Sequence, residues 1–439
     1  MSKLGDLAYQ KPDLCLKYKG KVVISPLGMI DDILCLQRCS KSQNINASIN
    51  TFIELKKLRF SHKKCSQIHV GKGQQNCAGL KVHANRMNRS IKEKYLGDLV
   101  TDVGNNKANI SDRVAKGYAI VNEIKAILSD IPLGIYKLNI GMKLRSAMLH
   151  SAILFNSEAW HGITLADIKR LEQVDEHLLR FLLGSHRKCA IEMLYLESGS
   201  WPLRFDVIQR RIMYLHTILK RSDDELTKQV LHAQMVDPCR GDFVKLVEDD
   251  IKAVNLDLNF DDIKSLSKQV LKKQLKSKIK KTAFKHLNKL KSQHSKVRHM
   301  SYTELVLQPY LKSKNITNEQ AKLLFGLRIK TFKGIKANFA QMNLKCLHCP
   351  LKCWENDEAP EIDTQEHLLK CKKLADTEKT GRVEYSHIYS NLMKQKEAIV
   401  VFKYYLEKRE DLLSNPANTL DPSTVFSQCC DHAAIICPN

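Results

Sequence analysis

Asp31 and Asp32 stand side by side between two apolar runs, Lys21-Val22-Val23-Ile24 and Ile33-Leu34-Cys35-Leu36. Two adjacent carboxylates at a tight turn are costly in a purely structural role, because their charges repel. What they do well is hold divalent cations. Mg²⁺ takes carboxylate, water and phosphate oxygens in octahedral geometry, and a pair of metal ions clamps the attacking and leaving oxygens of an in-line displacement at phosphorus. Taken alone, the pair also fits a solvated aspartate turn. A second constellation carries more information. Cys346 and Cys349 are followed by His367 and Cys371 in the pattern C-x2-C-x17-H-x3-C. Three thiolates and one imidazole are a ligand set of structural zinc, with all four positions filled by protein. Cys353 and His348 are spare candidates for the second position. Binding energy at such a site becomes folding energy for a small module.

Charge supplies the third signal. The chain has 439 residues, with 71 Lys+Arg against 47 Asp+Glu, a formal net charge of +24. Thirteen of the cations fall between Ile263 and Thr303, where no acidic residue occurs. A solubilising surface usually mixes signs, whereas a concentrated basic segment fits a polyanion, whose phosphates release counterions on contact. Lys272, Lys273, Lys276, Lys280 and Lys281 are its densest cluster and the candidate contacts to RNA or DNA. Trp354, beside the zinc ligands, offers a ring that stacks on a base or packs the small module.

These residues need elements to hold them. The two apolar runs around Asp31-Asp32 predict a β-hairpin. Ile45–Leu58 reads as helical and Ser66–Val70 as a strand. From about residue 108 the apolar period becomes helical: Ile110, Val114, Val121, Ile124 and Leu128 share a face. Ile140, Leu144, Met148 and Ile153 predict a second helix. A third starts at Thr164, an N-cap with Asp167 three residues on, and is closed by Gly184. A fourth covers Leu203–Leu219. Leu266, Val270, Leu275, Ile279, Leu287 and Leu290 predict a basic amphipathic helix within Lys264–Arg298. Further helices are expected over 317–340 and Met393–Leu413.

Read together, the apolar-x-Asp-Asp hairpin, the Leu58-Arg59-Phe60-Ser61-His62-Lys63-Lys64-Cys65 segment and Lys94-Tyr95-Leu96-Gly97 resemble consecutive blocks of a reverse transcriptase. Leu154-Phe155-Asn156-Ser157-Glu158-Ala159-Trp160, the Leu171–Leu183 helix and Tyr195-Leu196-Glu197-Ser198-Gly199 resemble the thumb of non-LTR (LINE-type) retrotransposon polymerases. A zinc knuckle after a helical linker is similar to the same family. The resemblance implies metal-binding carboxylates at Asp31 and Asp32. It implies a lysine near the triphosphate, at Lys64 or equally Lys63, and support of a primer end by Tyr95, Leu96 and Gly97. The expected fold is α+β and mostly α. A partial palm (1–105) is followed by a helical thumb (106–235), a basic helical linker (236–340), the zinc knuckle (341–375), and a C-terminal helix and tail (376–439).

The departures matter too. Met29 and Ile30 replace the family's aromatic and small residue before Asp-Asp. Of the aspartates before Asp31, Asp6 and Asp13 sit in no convincing β-run, so the chain reads as N-terminally truncated. A two-metal site lacking one carboxylate wall should not work, so no polymerase activity is expected from this chain alone. Magnesium would enter only if the site were competent. Structural zinc and RNA or DNA binding are the retained properties, and a nucleic-acid-binding or scaffolding role adopted from a retrotransposon is the competing reading. Asp421-Pro422 has the wrong order for the family's nuclease, and Cys429, Cys430 and Cys437 are irregularly spaced. No run is long and apolar enough to span a bilayer, and the N-terminus lacks a secretory h-region. An intracellular protein, nuclear or cytoplasmic, is expected.

Overall fold

The computed structural model describes residues 85–130, 137–330 and 384–414, together with 16–19, 22–24, 27–29, 32–36, 50, 54, 61, 64–70 and 81–82. Within these the chain is mostly helical with short strands. Every described sheet has two strands. β1 (Leu16–Tyr18) pairs antiparallel with β2 (Val22–Ile24), Leu16 opposite Ile24. β3 (Leu27–Met29) pairs antiparallel with β4 (Asp32–Leu34), Met29 opposite Asp32. β5 (Ser66–Gln67) runs parallel to β8 (Asn88–Arg89), and β6 (Lys81–Val82) pairs with β7 (Asn85–Arg86). β9 (Lys92–Tyr95) and β10 (Asp98–Thr101) form the last hairpin.

The Asp-Asp hairpin therefore differs from the predicted one. Its first strand is Leu27–Met29, in place of the Lys21–Ile24 run, and Val22–Ile24 pairs backward with β1. The nearer segment closes the shorter loop, which costs less chain entropy. The Ser66–Val70 strand shrinks to two residues.

The helices follow in order: α1 (Lys107–Asp130), α2 (Lys137–Leu144), α3 (Leu165–Leu183), α4 (Ile191–Ser198), α5 (Leu203–Leu219) and α6 (Leu226–Val236). Then come α7 (Phe243–Ala253), α8 (Phe260–Ser265), α9 (Lys268–Lys291), α10 (Pro309–Lys312), α11 (Asn318–Arg328) and α12 (Leu392–Ser414). α3 begins where its cap predicts. Thr164 Oγ1 accepts from the Asp167 N–H at 3.2 Å, and Asp167 Oδ2 accepts from the Thr164 N–H at 3.1 Å, which satisfies two otherwise orphaned donors. Gly184 ends it in the left-handed region. α11 repeats the capping box with Thr317 and Gln320. α5 has the predicted span.

α2 departs from prediction. It runs on through a π-helical turn at Arg145–His150 into Ser151–Ile153. The buried stripe is Leu138, Gly141, Arg145, Leu149 and Ile153, while Ile140, Leu144 and Met148 are only part-buried. The buried face carries a glycine and an arginine where apolar side chains are expected, so an apolar count misses it.

The chain divides into two units. The first comprises residues 1–124, 144–175 and 201–285; Val174, Ile212, Leu215, Leu271 and Ile279 are among its fully buried side chains. The second comprises 125–143, 176–200 and 286–439, with Leu178, Met193, Tyr310, Phe325 and Phe402 in its core. Among the described residues no helix is long and apolar enough to cross a membrane.

Candidate nucleic-acid interface

α9 presents the densest cationic surface. Leu271, Leu275, Ile279, Ala283 and Leu287 are buried at successive four-residue steps. Each step advances about 400° on a 3.6-residue helix, so the stripe drifts slowly around the axis. The predicted stripe included Val270 and Leu290 and is corrected here: Val270 is 43% exposed and Leu290 part-buried. The predicted Lys264–Arg298 helix is also interrupted, because α8 ends at Ser265, α9 starts at Lys268, and it ends at Lys291.

Away from the buried stripe, Lys272, Lys273, Lys276 and Lys281 are exposed and Lys280 is part-buried. Lys278 lies 3.4 Å from Asp257. Among the described residues no carboxylate pairs with Lys272, Lys273, Lys276 or Lys281. Lys268, Lys272, Lys276 and Lys280 repeat at four-residue spacing. Like charges at that spacing destabilise a helix by about 0.2–0.5 kcal/mol per pair. A polyanion laid along the face relieves that repulsion, so the surface is electrostatically prepared for one.

The Lys94-Tyr95-Leu96-Gly97 block forms the tip of the β9–β10 hairpin. Leu96 and Gly97 both have positive φ, 47° and 90°, as a tight two-residue hairpin turn requires. A side chain on Gly97 would meet the Phe155 ring, only 3.0 Å from an added Cβ. Asp98, the next residue, accepts from Arg113 Nη2 at 2.7 Å, Asn109 Nδ2 at 3.1 Å and Asn156 Nδ2 at 2.6 Å. Arg113 also donates to the carbonyls of Gly97 and Ala152 and lies over the Phe155 ring. Asn156 sits in the left-handed region at φ 56°. Two separate sequence blocks, 94–97 and 154–160, are thus fastened to one another by the start of α1. Sequence reasoning missed Asp98 and Arg113 as the clamp.

The Tyr195–Gly199 block has a different role. Glu197, at the end of α4, is completely buried. Its carboxylate accepts from Arg328 Nη2 at 3.0 Å and Nε at 3.2 Å, from the Tyr310 hydroxyl at 2.7 Å, and from the Tyr302 hydroxyl. Arg328 lies over the rings of Tyr310 and Tyr389 and donates to the Ile388 carbonyl at 2.8 Å. Burial would lower the Arg328 pKa, but the Glu197 charge holds it above the ordinary arginine value. Burial and the same carboxylate push both tyrosines well up. Gly199 closes α4 at φ 66°, and an added Cβ would stand 2.1 Å from the Leu307 nitrogen. Ser198 bridges Leu307 there, and the Gln308 N–H donates to the Glu197 carbonyl. A carboxylate directly after the apolar run Met193-Leu194-Tyr195-Leu196 was the available signal.

A second buried cluster occupies the π-helical turn. Asp175, fully buried, receives Arg145 bidentately at 2.6 Å for both contacts, and lies 2.9 Å from His150 Nε2. Burial alone would raise the Asp175 carboxyl; Arg145 and His150 overcome it and hold it well below the usual range. Nearby Asp206 is raised by burial, although it accepts from Trp201 Nε1 at 3.1 Å. Arg211 pairs with Asp250 at 2.8 Å, where burial outweighs the arginine and pushes Asp250 up to about 6.

Asp32 is the first residue of β4, and Asp31 lies outside the described residues. Lys64 is exposed in a turn whose N–H donates to the Ser61 carbonyl, and Lys63 lies outside the described residues. Cys346, His348, Cys349, Cys353, Trp354, His367 and Cys371 also lie outside them. No known protein family, curated protein or solved structure matches the chain.

Proposed function

We propose that this chain binds RNA or DNA along the lysine face of α9, and that it derives from a non-LTR retrotransposon polymerase. The observation that carries the binding reading is the exposed cluster Lys272, Lys273, Lys276 and Lys281, unpaired by described carboxylates on a helix whose other face is packed. The polymerase descent is supported by the ordered sequence blocks and by the clamp joining two of them, the 94–97 turn and the 154–160 segment. The sequence holds the adjacent Asp31-Asp32 pair. Were it competent, Asp31 and Asp32 would hold magnesium and Lys64 would stand near the triphosphate.

The same reading assigns a structural zinc to Cys346, Cys349, His367 and Cys371, with Trp354 beside it. One equivalent of zinc should be found by metal analysis and lost in Cys346→Ala or His367→Ala; unchanged stoichiometry would refute the assignment. The binding claim is tested by fluorescence anisotropy on single- and double-stranded oligonucleotides across a salt series. Each phosphate contact adds roughly 0.7–0.9 to the magnitude of the log–log slope, so a salt-insensitive association would exclude an α9 interface.

A further inference from the structure

The turn between β1 and β2 meets the loop between α6 and α7, and the meeting point joins an amine, a thiol and a carboxylate. Lys19, at φ 48°, donates from Nζ to Asp242 Oδ2 at 2.8 Å and to the Asp237 carbonyl, and lies 3.4 Å from Cys239 Sγ. The loop holds the thiol in place. The Cys239 N–H donates to Asp242 Oδ2 at 2.9 Å, and the Asp242 N–H returns to the Cys239 carbonyl at 3.1 Å. Tyr18 braces the other side, donating from its hydroxyl to Asp242 Oδ1 at 3.4 Å and accepting from Gln234 Nε2 at 3.1 Å. Among the four described cysteines only Cys239 is exposed; Cys35 and Cys189 are pushed up to about 11 by burial, which disfavours the reactive thiolate there.

We propose that Lys19 and Cys239 are a redox modification site, forming a covalent nitrogen–sulfur cross-link when the protein meets hydrogen peroxide. In the first step the Cys239 thiol is oxidised to a sulfenic acid: the peroxide O–O bond breaks, one oxygen joins sulfur, and one water leaves. In the second, the Lys19 amine attacks that sulfur, the S–O bond breaks, an S–N bond forms, and a second water leaves. Sulfur loses two electrons in all, and peroxide takes them. The attacking amine must first lose a proton to solvent; Asp242 Oδ2, 2.8 Å away, holds the ammonium beside the sulfur and resists that loss, so closure should quicken as pH rises. Nitrogen is already within van der Waals reach of sulfur, so closure needs no rearrangement of the chain. The product would join residues 220 positions apart and staple the β1–β2 turn to the α6–α7 loop.

The test uses the full-length reduced protein treated with hydrogen peroxide, alkylated, digested and examined by mass spectrometry. The expected product is a linked peptide pair containing Lys19 and Cys239, lighter than their sum by two hydrogens and released by dithiothreitol. Lys19→Arg keeps the charge beside Asp242, and there Cys239 should instead be captured by dimedone. Cys239→Ser should give neither product. Recovery of wild-type Cys239 as a dimedone adduct, a disulfide or a sulfinic acid, with Lys19 unmodified, would overturn the proposal. A linked pair retaining one oxygen would overturn the direct S–N bond.

Discussion

Glu197 and Asp175 have no exposed surface, so their charges are tolerable only while their partners stay in place. Removing one member of a buried pair leaves the other uncompensated, at a cost of about 3–5 kcal/mol. Glu197→Gln keeps the shape but leaves the Arg328 charge unanswered, and its unfolding free energy in urea should fall by roughly that amount. Tyr310→Phe removes one hydrogen bond and should cost about 1–3 kcal/mol. Equal losses in the two variants would show that charge is not what matters at this site. Asp175 adds a pH signature. Its folded pKa lies below the unfolded value, so its contribution is present above the ordinary aspartate range and is lost as pH falls through the lower, folded value. Asp250 has the opposite sign. With a folded pKa of about 6, it favours folding at pH values below the unfolded pKa and loses that contribution as pH rises through about 6. Stability curves from pH 3 to 7 should therefore lose acid-side slope in Asp175→Asn and lose the slope near pH 6 in Asp250→Asn. Unchanged curves would contradict both assignments.

The helices show which forces the local sequence records. Leu275 and Ile279 lie on the buried stripe of α9, whereas Val270 is 43% exposed. Leu275→Ala should cost about 2–5 kcal/mol, and Val270→Ala within about 0.5 kcal/mol, as read by thermal or urea unfolding. The reverse order would restore the stripe that periodicity alone suggests. That stripe was half legible, since Leu275, Ile279 and Leu287 were readable, but Leu271 and Ala283 were passed over, and Val270 and Leu290 were included. Burial on a lysine-rich helix depends on what faces it, and steps of five (Val270 to Leu275) and three (Leu287 to Leu290) residues pass for a helical period as readily as the four-residue step from Leu271 to Leu275. Where a determinant is local, the sequence was sufficient: Thr164 and Asp167 announce α3, and the apolar period over Leu203–Leu219 marks α5. Where it is remote, it was hidden. Glu197 and Arg328 stand 131 residues apart, and no period links them. The Tyr195–Gly199 block was visible as a resemblance, yet its physical role follows only from Tyr302, Tyr310 and Leu307 arriving around it. The π-helical turn was hidden for another reason: its buried face is occupied by Arg145, whose neutralising partner Asp175 lies on the next long helix.

Across the whole molecule, a net charge of +24 opposes compaction and favours any polyanion. The excess is not spread evenly. Arg145 with Asp175, Arg211 with Asp250 and Arg328 with Glu197 are buried pairs, while among the described residues no carboxylate pairs with Lys272, Lys273, Lys276 or Lys281 on the α9 face. That contrast separates cations that fold the protein from cations available to a partner. It predicts that replacing the second group leaves the fold intact and alters binding alone. The deciding measurement is the salt dependence of oligonucleotide affinity for the wild-type chain and for Lys272→Gln, Lys273→Gln, Lys276→Gln and Lys281→Gln combined, with unfolding followed in parallel. The account predicts weaker binding and a log–log slope smaller in magnitude by roughly 0.7–0.9 for each lost phosphate contact, with unchanged or slightly raised stability. An unchanged affinity and slope in a folded variant would contradict it.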